Sequence, residues 1–200
     1  MKQLLIIGAG GHGRVAAEIA ELKGYSVSFL DDSDSKAFNV IGKLSDYKKY
    51  ISTHSFFVAI GNSETRKKVF CELKSHNAET VNLVHPYSFV SKGVAMGTGN
   101  IVMAGAVVNT NVRIGDGVII NTCSSVDHDS VIEDFSHIAV GSRICGTVKI
   151  GEGTWIGAGA TVINNITITG KCMIGAGAVV IKDIHSKGTY VGVPAAKCGK

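Results

Sequence analysis

The chain has 200 residues, 45% of them apolar and 18% charged, which is enough to bury a sizeable core and excludes a disordered chain. A formal charge of +4, without a nucleic-acid-binding signature, argues against a nucleic-acid partner, and the apolar run Leu4–Ile7 is too short for a secretion signal or a membrane span. The short run thus points to a cytoplasmic protein, and twenty-five glycines beside two prolines and many Val and Ile residues, with no collagen-like period, point to short strands and tight corners.

Gln3 to Gly8 reads as a buried strand. The run Gly8-Ala9-Gly10-Gly11-His12-Gly13 follows and fits G-x-G-x-x-G, and Arg14 to Lys23 reads as a helix with Val15, Ile19 and Leu22 on one face. A second strand, Ser26 to Leu30, ends at Asp31-Asp32. The step from Gly13 to Asp31 is close to the ~20 residues expected before an acid that reads a ribose. A third strand, Phe56 to Ile60, runs into Gly61-Asn62, and a helix spans Ser63 to Ser75. Its cluster Arg66-Lys67-Lys68 reads as a solvated helix face. These elements predict a small doubly wound α/β domain over residues 1–83.

Taken alone, G-x-G-x-x-G marks only a tight turn that needs glycines. With a strand before it, a helix after it and acids at the end of strand two, it reads as a phosphate site at a helix N-terminus. The domain is too short for a full six-strand dinucleotide fold, which disfavours a nicotinamide dehydrogenase. A nucleoside diphosphate sugar, such as a UDP-sugar, suits half a Rossmann fold. His12 reads as a contact to the diphosphate through a ring N–H.

From Val84, every sixth residue up to Val180 is aliphatic, seventeen in succession without an insertion. The fourth residue after each mark is small or apolar almost throughout (Ala106, Ser124, Ser130, Ser136, Ala160), and the residue directly after the mark is often Gly, as at Gly97, Gly115 and Gly157. This is the hexapeptide signature of a parallel β-helix, with three hexapeptides to a coil and five to six coils over residues 84–185, in a domain of residues 84–200 that ends in a short tail. Inward anchors stack coil on coil, and glycines permit positive φ or close backbone approach at the corners.

One stretch, Asn121 to His137, is not explained by stacking. It gathers two histidines and several acids and amides into an otherwise apolar repeat. His128, flanked by Asp127 and Asp129, reads as a general base oriented by a carboxylate. His137 lies half a coil away, so one chain cannot aim both rings at one substrate. A site shared between subunits follows, most simply in a trimer. The histidines lack zinc-ligand spacing, so no metal is expected. The five cysteines form no C-x-x-C pair and read as buried or incidental thiols.

These motifs together resemble the NeuD/PglD-type sugar acetyltransferases: Gly8 to Gly13, Leu30-Asp31-Asp32, Ala59-Ile60-Gly61-Asn62 with Arg66, Val126-Asp-His-Asp129, Phe135-Ser-His137-Ile and Val191-Gly-Val-Pro-Ala-Ala-Lys197. The resemblance covers essentially the whole chain. It implies a left-handed β-helix, a homotrimer and an acetyl-CoA-dependent transfer to the amine of a UDP-linked 4-amino-4,6-dideoxy sugar. His128 would be the base and Asp129 would raise its basicity, where close relatives carry the longer Glu. Asn121 and Asp127 would help place the amine. His137, Gly146, Ala158 and Ala176 would line the acetyl-CoA. Gly8, Gly10, Gly11 and His12 would meet the diphosphate, with Asp31, Asp32, Gly61 and Asn62 near the uridine. An O-acetyltransferase acting on sialic acid or a related glycan is the alternative. A non-catalytic scaffold is disfavoured by the His-Asp pair.

Overall fold

The computed structural model describes residues 2–33 and 39–199. Their contacts divide into two units, one ending at Pro86 and one beginning at Tyr87. Among the described residues no helix is long and apolar enough to cross a membrane.

The first unit is built on a parallel sheet of β1 (Lys2–Ile7), β2 (Tyr25–Leu30), β3 (Val40–Gly42) and β4 (Ser55–Val58), in the order β3-β2-β1-β4. Strand β1 is internal, and Leu4 to Ile7 are almost fully buried, as expected of a parallel strand covered on both faces. Helix α1 (Gly11–Leu22) follows β1, and α2 (Ser63–Ser75) follows β4.

Four expectations for this unit are corrected by the structure. Helix α1 starts three residues before Arg14, so Gly11 to Gly13 form its first turn. Its buried face is Gly13, Ala16, Ala17, Ile19 and Ala20, whereas Val15 and Leu22 are 38% and 56% exposed. Small residues win that face because the helix lies close to the end of β1. A Cβ on Gly13 would overlap the carbonyl oxygen of Gly8. In α2, Arg66 is 1% exposed, so the basic cluster is not a uniformly solvated face. Strand β4 stops at Val58 rather than Ile60, and the short β3 and the 3-10 segment Leu44–Tyr50 lacked a sequence pattern.

Seventeen two-residue strands, β5 (Leu83–Val84) to β21 (Val179–Val180), recur every six residues, and each ends on an aliphatic mark. Strand β5 belongs to the first unit. The other sixteen build the second unit, a parallel β-helix of five coils and part of a sixth. One sheet runs β6-β9-β12-β15-β18-β21, another β7-β10-β13-β16-β19, and the third contains β8-β11-β14-β17-β20 and ends in β22 (Thr189–Val191) and β23 (Ala196–Lys197). Partners such as Ser125 and Arg143, or His137 and Trp155, lie 18 residues apart.

Every mark from Val102 to Val180 is buried, and so are the small residues four positions later. Buried Ser and Thr hydroxyls there donate to backbone carbonyls, as Ser130 does to Cys145 at 3.1 Å and Ser142 to Ala139 at 2.7 Å. This removes the cost of a buried unpaired hydroxyl.

The corners separate two uses of glycine. The residue three after each mark, from Gly99 to Lys171 and Gly177, has positive φ, and seven of these are not glycine. The glycines one after the mark are needed for another reason. A Cβ on Gly157 would lie 2.6 Å from the Ala176 nitrogen in the next coil, so its role is close approach.

Candidate active site

On the β-helix, the register stacks three corner triplets. Asn109-Thr110-Asn111 follows β9 (Val107–Val108), Asp127-His128-Asp129 follows β12 (Ser125–Val126), and Cys145-Gly146-Thr147 follows β15 (Arg143–Ile144). The backbone ties them together: the Asp129 N–H donates to Thr110 O at 3.2 Å, and the Thr147 N–H donates to His128 O at 2.9 Å.

His128 projects from this corner, with its side chain 55% exposed and its Nδ1 2.8 Å from Asp129 Oδ2. A carboxylate at Nδ1 fixes the tautomer with the proton there and leaves the Nε2 lone pair available to accept a proton. Asp127 Oδ1 accepts the His128 backbone N–H at 2.9 Å and the Asn109 Nδ2–H at 2.8 Å. The Asp129 hydrogen bond, with the charges of Asp127 and Asp129, raises the His128 pKa above the ordinary histidine value. Both carboxylates are held below their usual range, Asp127 chiefly by the His128 N–H and Asp129 chiefly by the His128 ring.

Gly146 lies directly against the imidazole. A Cβ there would be 2.7 Å from both Cε1 and Nε2 of His128. The Gly146 N–H meets no acceptor among the described residues. It is a backbone donor beside the base, of the kind that can hold a developing oxyanion.

Asn121 is not at this corner. Its Nδ2 lies 3.0 Å from Nε2 of His137, whose ring packs on Trp155 with centroids 4.5 Å apart. His137 belongs to β14 (His137–Ile138) and is buried, although it alternates with the inward Ile138. Ala158 and Ala176 follow β17 (Trp155–Ile156) and β20 (Met173–Ile174), 18 residues apart and exposed. The residues expected to line acetyl-CoA thus fall on two edges, with Gly146 beside His128 and His137, Ala158 and Ala176 along another. Asn109 and Asn111 were missed by reading the stretch from Asn121 onward. The signal was the coil length, because each stands 18 residues before an aspartate beside His128.

In the first unit, the turn Gly8-Ala9-Gly10 joins the carboxyl end of β1 to the N-terminus of α1. The N-cap is Gly10, without a side-chain cap and with no acid in the first turn, so the helix presents free N–H groups and its positive end. Asp31 braces the loop: Oδ2 accepts the Ala9 N–H at 2.6 Å, and Oδ1 accepts the N–H and hydroxyl of Ser33. Asp32 accepts the Leu44 N–H at 2.9 Å. Asn62 caps α2 through Thr65, and Gly61 stands at an open turn before it.

Arg66 donates from one guanidinium nitrogen to the carbonyls of Ile60 and Gly61, at 2.8 and 2.7 Å. Burial lowers its pKa to about 10, which leaves it charged. His12 packs edge-on to Phe57, and burial together with the Arg66 charge lowers its pKa to about 4. It is therefore a neutral imidazole, and its buried Nε2 has no partner among the described residues. Among those residues no three metal-ligating side chains converge. All five cysteines are free thiols: Cys172 is buried, Cys145 is half-buried, and Cys71, Cys123 and Cys198 are exposed.

Residues 3–73 match the family model of the PglD N-terminal domain. The whole chain superposes on the acetyltransferase domain of PglB from Neisseria gonorrhoeae FA1090 with a TM-score of 0.96 and 36% identity, covering 99% of this chain and 100% of that one. The chain belongs to the NeuD/PglD-type sugar acetyltransferase family. Its β-helix is accordingly the left-handed, hexapeptide-repeat kind. Another family structure, a mutant of perosamine N-acetyltransferase from Caulobacter crescentus in complex with CoA and GDP-perosamine, has a TM-score of 0.96 and 34% identity, covering 100% of this chain and 98% of that one. The PglB domain has also been solved with acetyl coenzyme A. UDP-N-acetylbacillosamine N-acetyltransferase from Bacillus subtilis (strain 168) is 34% identical over 115 residues, 52% of each protein, so the match spans about half the length of that curated relative.

Proposed function

We propose that this chain transfers the acetyl group of acetyl-CoA directly to the amine of a UDP-linked 4-amino-4,6-dideoxy sugar, with His128 as general base. The observation that carries this reading is the His128 corner: Asp129 at Nδ1, a more than half-exposed side chain, and Gly146 against the ring. Family members named for N-acetylation of UDP- and GDP-linked amino sugars support the substrate class.

The chemistry follows from the groups present. The neutral amine forms a C–N bond to the thioester carbonyl, and the C–S bond breaks to release CoA. His128 Nε2 takes the amine proton, and the Gly146 N–H faces the oxygen that gains charge. Ala158 and Ala176 are small and exposed, leaving room along their edge for an extended pantetheine arm. At the first unit, the open N-terminus of α1 and the neutral His12 suit the diphosphate, while Asp31, Asp32, Gly61 and Asn62 border the place for the nucleoside. The reading needs no metal and places the protein in the cytoplasm. CoA-thiol release with UDP-4-amino sugars, GDP-perosamine and sialic acid as acceptors tests it. Fastest release is expected with the UDP-linked amine, and no release with any amino sugar overturns the reading.

Residues on two edges of the β-helix have to serve one reaction, so the working form is a homotrimer in which His128 and His137 of one site come from different chains. An active monomer by light scattering contradicts this.

The base must be neutral, and its pKa is raised. Activity should therefore fall as pH drops through a value above that of ordinary histidine. Asp129→Asn removes the charge at Nδ1, so the acid limb of the pH–rate profile moves to lower pH and the plateau falls about tenfold or more. An unmoved limb contradicts the assigned pairing. Gly146→Ala should displace the His128 ring and cost on the order of a hundredfold in kcat, the scale of a ~1 Å misplacement, with melting temperature as the control.

A further inference from the structure

We propose that Asn109 and Asn111, one coil before the Asp127-His128-Asp129 triplet, are positioning residues that hold both carboxylates in the orientation His128 needs to act as a base. The proposal rests on the reading of His128 as the base of acetyl transfer.

The pairing of β9 with β12 sets Val107 opposite Ser125 and Val108 opposite Val126. The residues that follow therefore stack as Asn109 with Asp127 and Asn111 with Asp129. In both pairs the amide donates to the carboxylate: Asn109 Nδ2 to Asp127 Oδ1 at 2.8 Å, and Asn111 Nδ2 to Asp129 Oδ1 at 3.2 Å. This divides the two oxygens of Asp129. Oδ1 is taken from the coil before, which turns Oδ2 toward His128 Nδ1. Asp127 is pinned by Asn109 and by the His128 N–H together. An exposed carboxylate otherwise rotates freely about its last bond, and a base oriented by it would lose its fixed tautomer.

The fold alone does not require amides here. Asn111 has φ +59°, but the equivalent corner position is held elsewhere by Gly105, Cys123, Phe135, Thr147 and Lys171. The position of Asn109 is held by Cys145 and Ile163 one and two coils beyond Asp127. Asparagine is the residue that supplies a donor without a charge at both places. The charged groups bearing on His128 are Asp127 and Asp129. The coil before brings Asn109, Thr110 and Asn111, and the coil after brings Cys145, Gly146 and Thr147, none of them a carboxylate, a lysine, an arginine or a histidine.

The test is a histidine NMR titration of the full chain, wild type against Asn111→Gly, Asn111→Asp and Asn109→Ala. The His128 signal is assigned by its loss in His128→Asn. Glycine accepts the φ of Asn111, so a purely structural role predicts no change in that variant. The positioning role predicts that the His128 pKa drops toward the ordinary value, that the tautomer becomes mixed, and that kcat falls about tenfold, the scale of one hydrogen bond to a charged group, with KM for acetyl-CoA unchanged. Asn111→Asp keeps the shape, tolerates the same backbone and adds a negative charge, so it should push the His128 pKa further up. Wild-type His128 pKa, tautomer and kcat in both Asn111→Gly and Asn109→Ala would overturn the proposal. If the wild-type chain releases no CoA thiol with acetyl-CoA and UDP-4-amino sugars, the transfer reading fails. The titration still decides whether the asparagines orient the histidine.

Discussion

His128→Ala is expected to lower kcat by roughly a hundredfold to ten-thousandfold, the range for removing a positioned general base, while affinity for the nucleotide sugar stays close to wild type. The effect falls on kcat because the proton leaves the amine only as the C–N bond forms. The residual rate comes from holding both reactants and from the Gly146 N–H, neither of which the substitution removes. The side chain is more than half exposed and its ring is not part of the core, so the fold should survive the change. Steady-state kinetics with CoA-thiol release, beside a binding isotherm for the UDP-sugar, separates the two quantities. Near-normal turnover in this variant would remove His128 from the mechanism.

The largest effect on stability is expected at Gly13. Alanine there would drive its Cβ into the carbonyl oxygen of Gly8, which is backbone and cannot swing aside. Overpacking of this kind costs about 1–3 kcal/mol or more. For a unit of this size that corresponds to a melting temperature lower by roughly 5–20 °C. The same shift of α1 would carry its open N-terminus away from the end of β1, so binding of a nucleoside diphosphate should weaken as well. Gly10→Ala is the control for stability. A Cβ at Gly10 meets nothing within 4 Å, and melting should change by only a few degrees. Thermal unfolding of the full chain, followed by far-UV circular dichroism, compares the two, and equal stability would show that the contact at Gly13 yields freely.

How far the sequence carried differs between the two units for a physical reason. In the β-helix, local and long-range structure share one period. A six-residue rhythm names the strand and its inward residue together, and three such steps name the neighbour in the next coil. All seventeen strands end on the expected mark. In the first unit, the periodicity of α1 pointed to Val15 and Leu22, but close approach to β1 selected Gly13 and the alanines instead. Strand β3, three residues long, carries too little pattern to announce itself. Arg66 looked like surface because charge is usually solvated, and only the fold shows it turned onto the carbonyls of Ile60 and Gly61. At the candidate site, Asp129 could be assigned to His128 as its sequence neighbour. The contact of Asn121 with His137, and those of Asn109 and Asn111 with the aspartates, depend on the turn of the coil.

The most direct test of the central claim is the product itself. The chain is incubated with acetyl-CoA and a UDP-linked 4-amino-4,6-dideoxy sugar, and the nucleotide sugar is weighed by mass spectrometry before and after mild hydroxylamine, which cleaves acetyl esters and spares acetyl amides. Direct transfer to the amine predicts one acetyl group on the nucleotide sugar, retained after hydroxylamine and matched by one released CoA thiol. An unmodified nucleotide sugar, or an acetyl group lost to hydroxylamine, would contradict it.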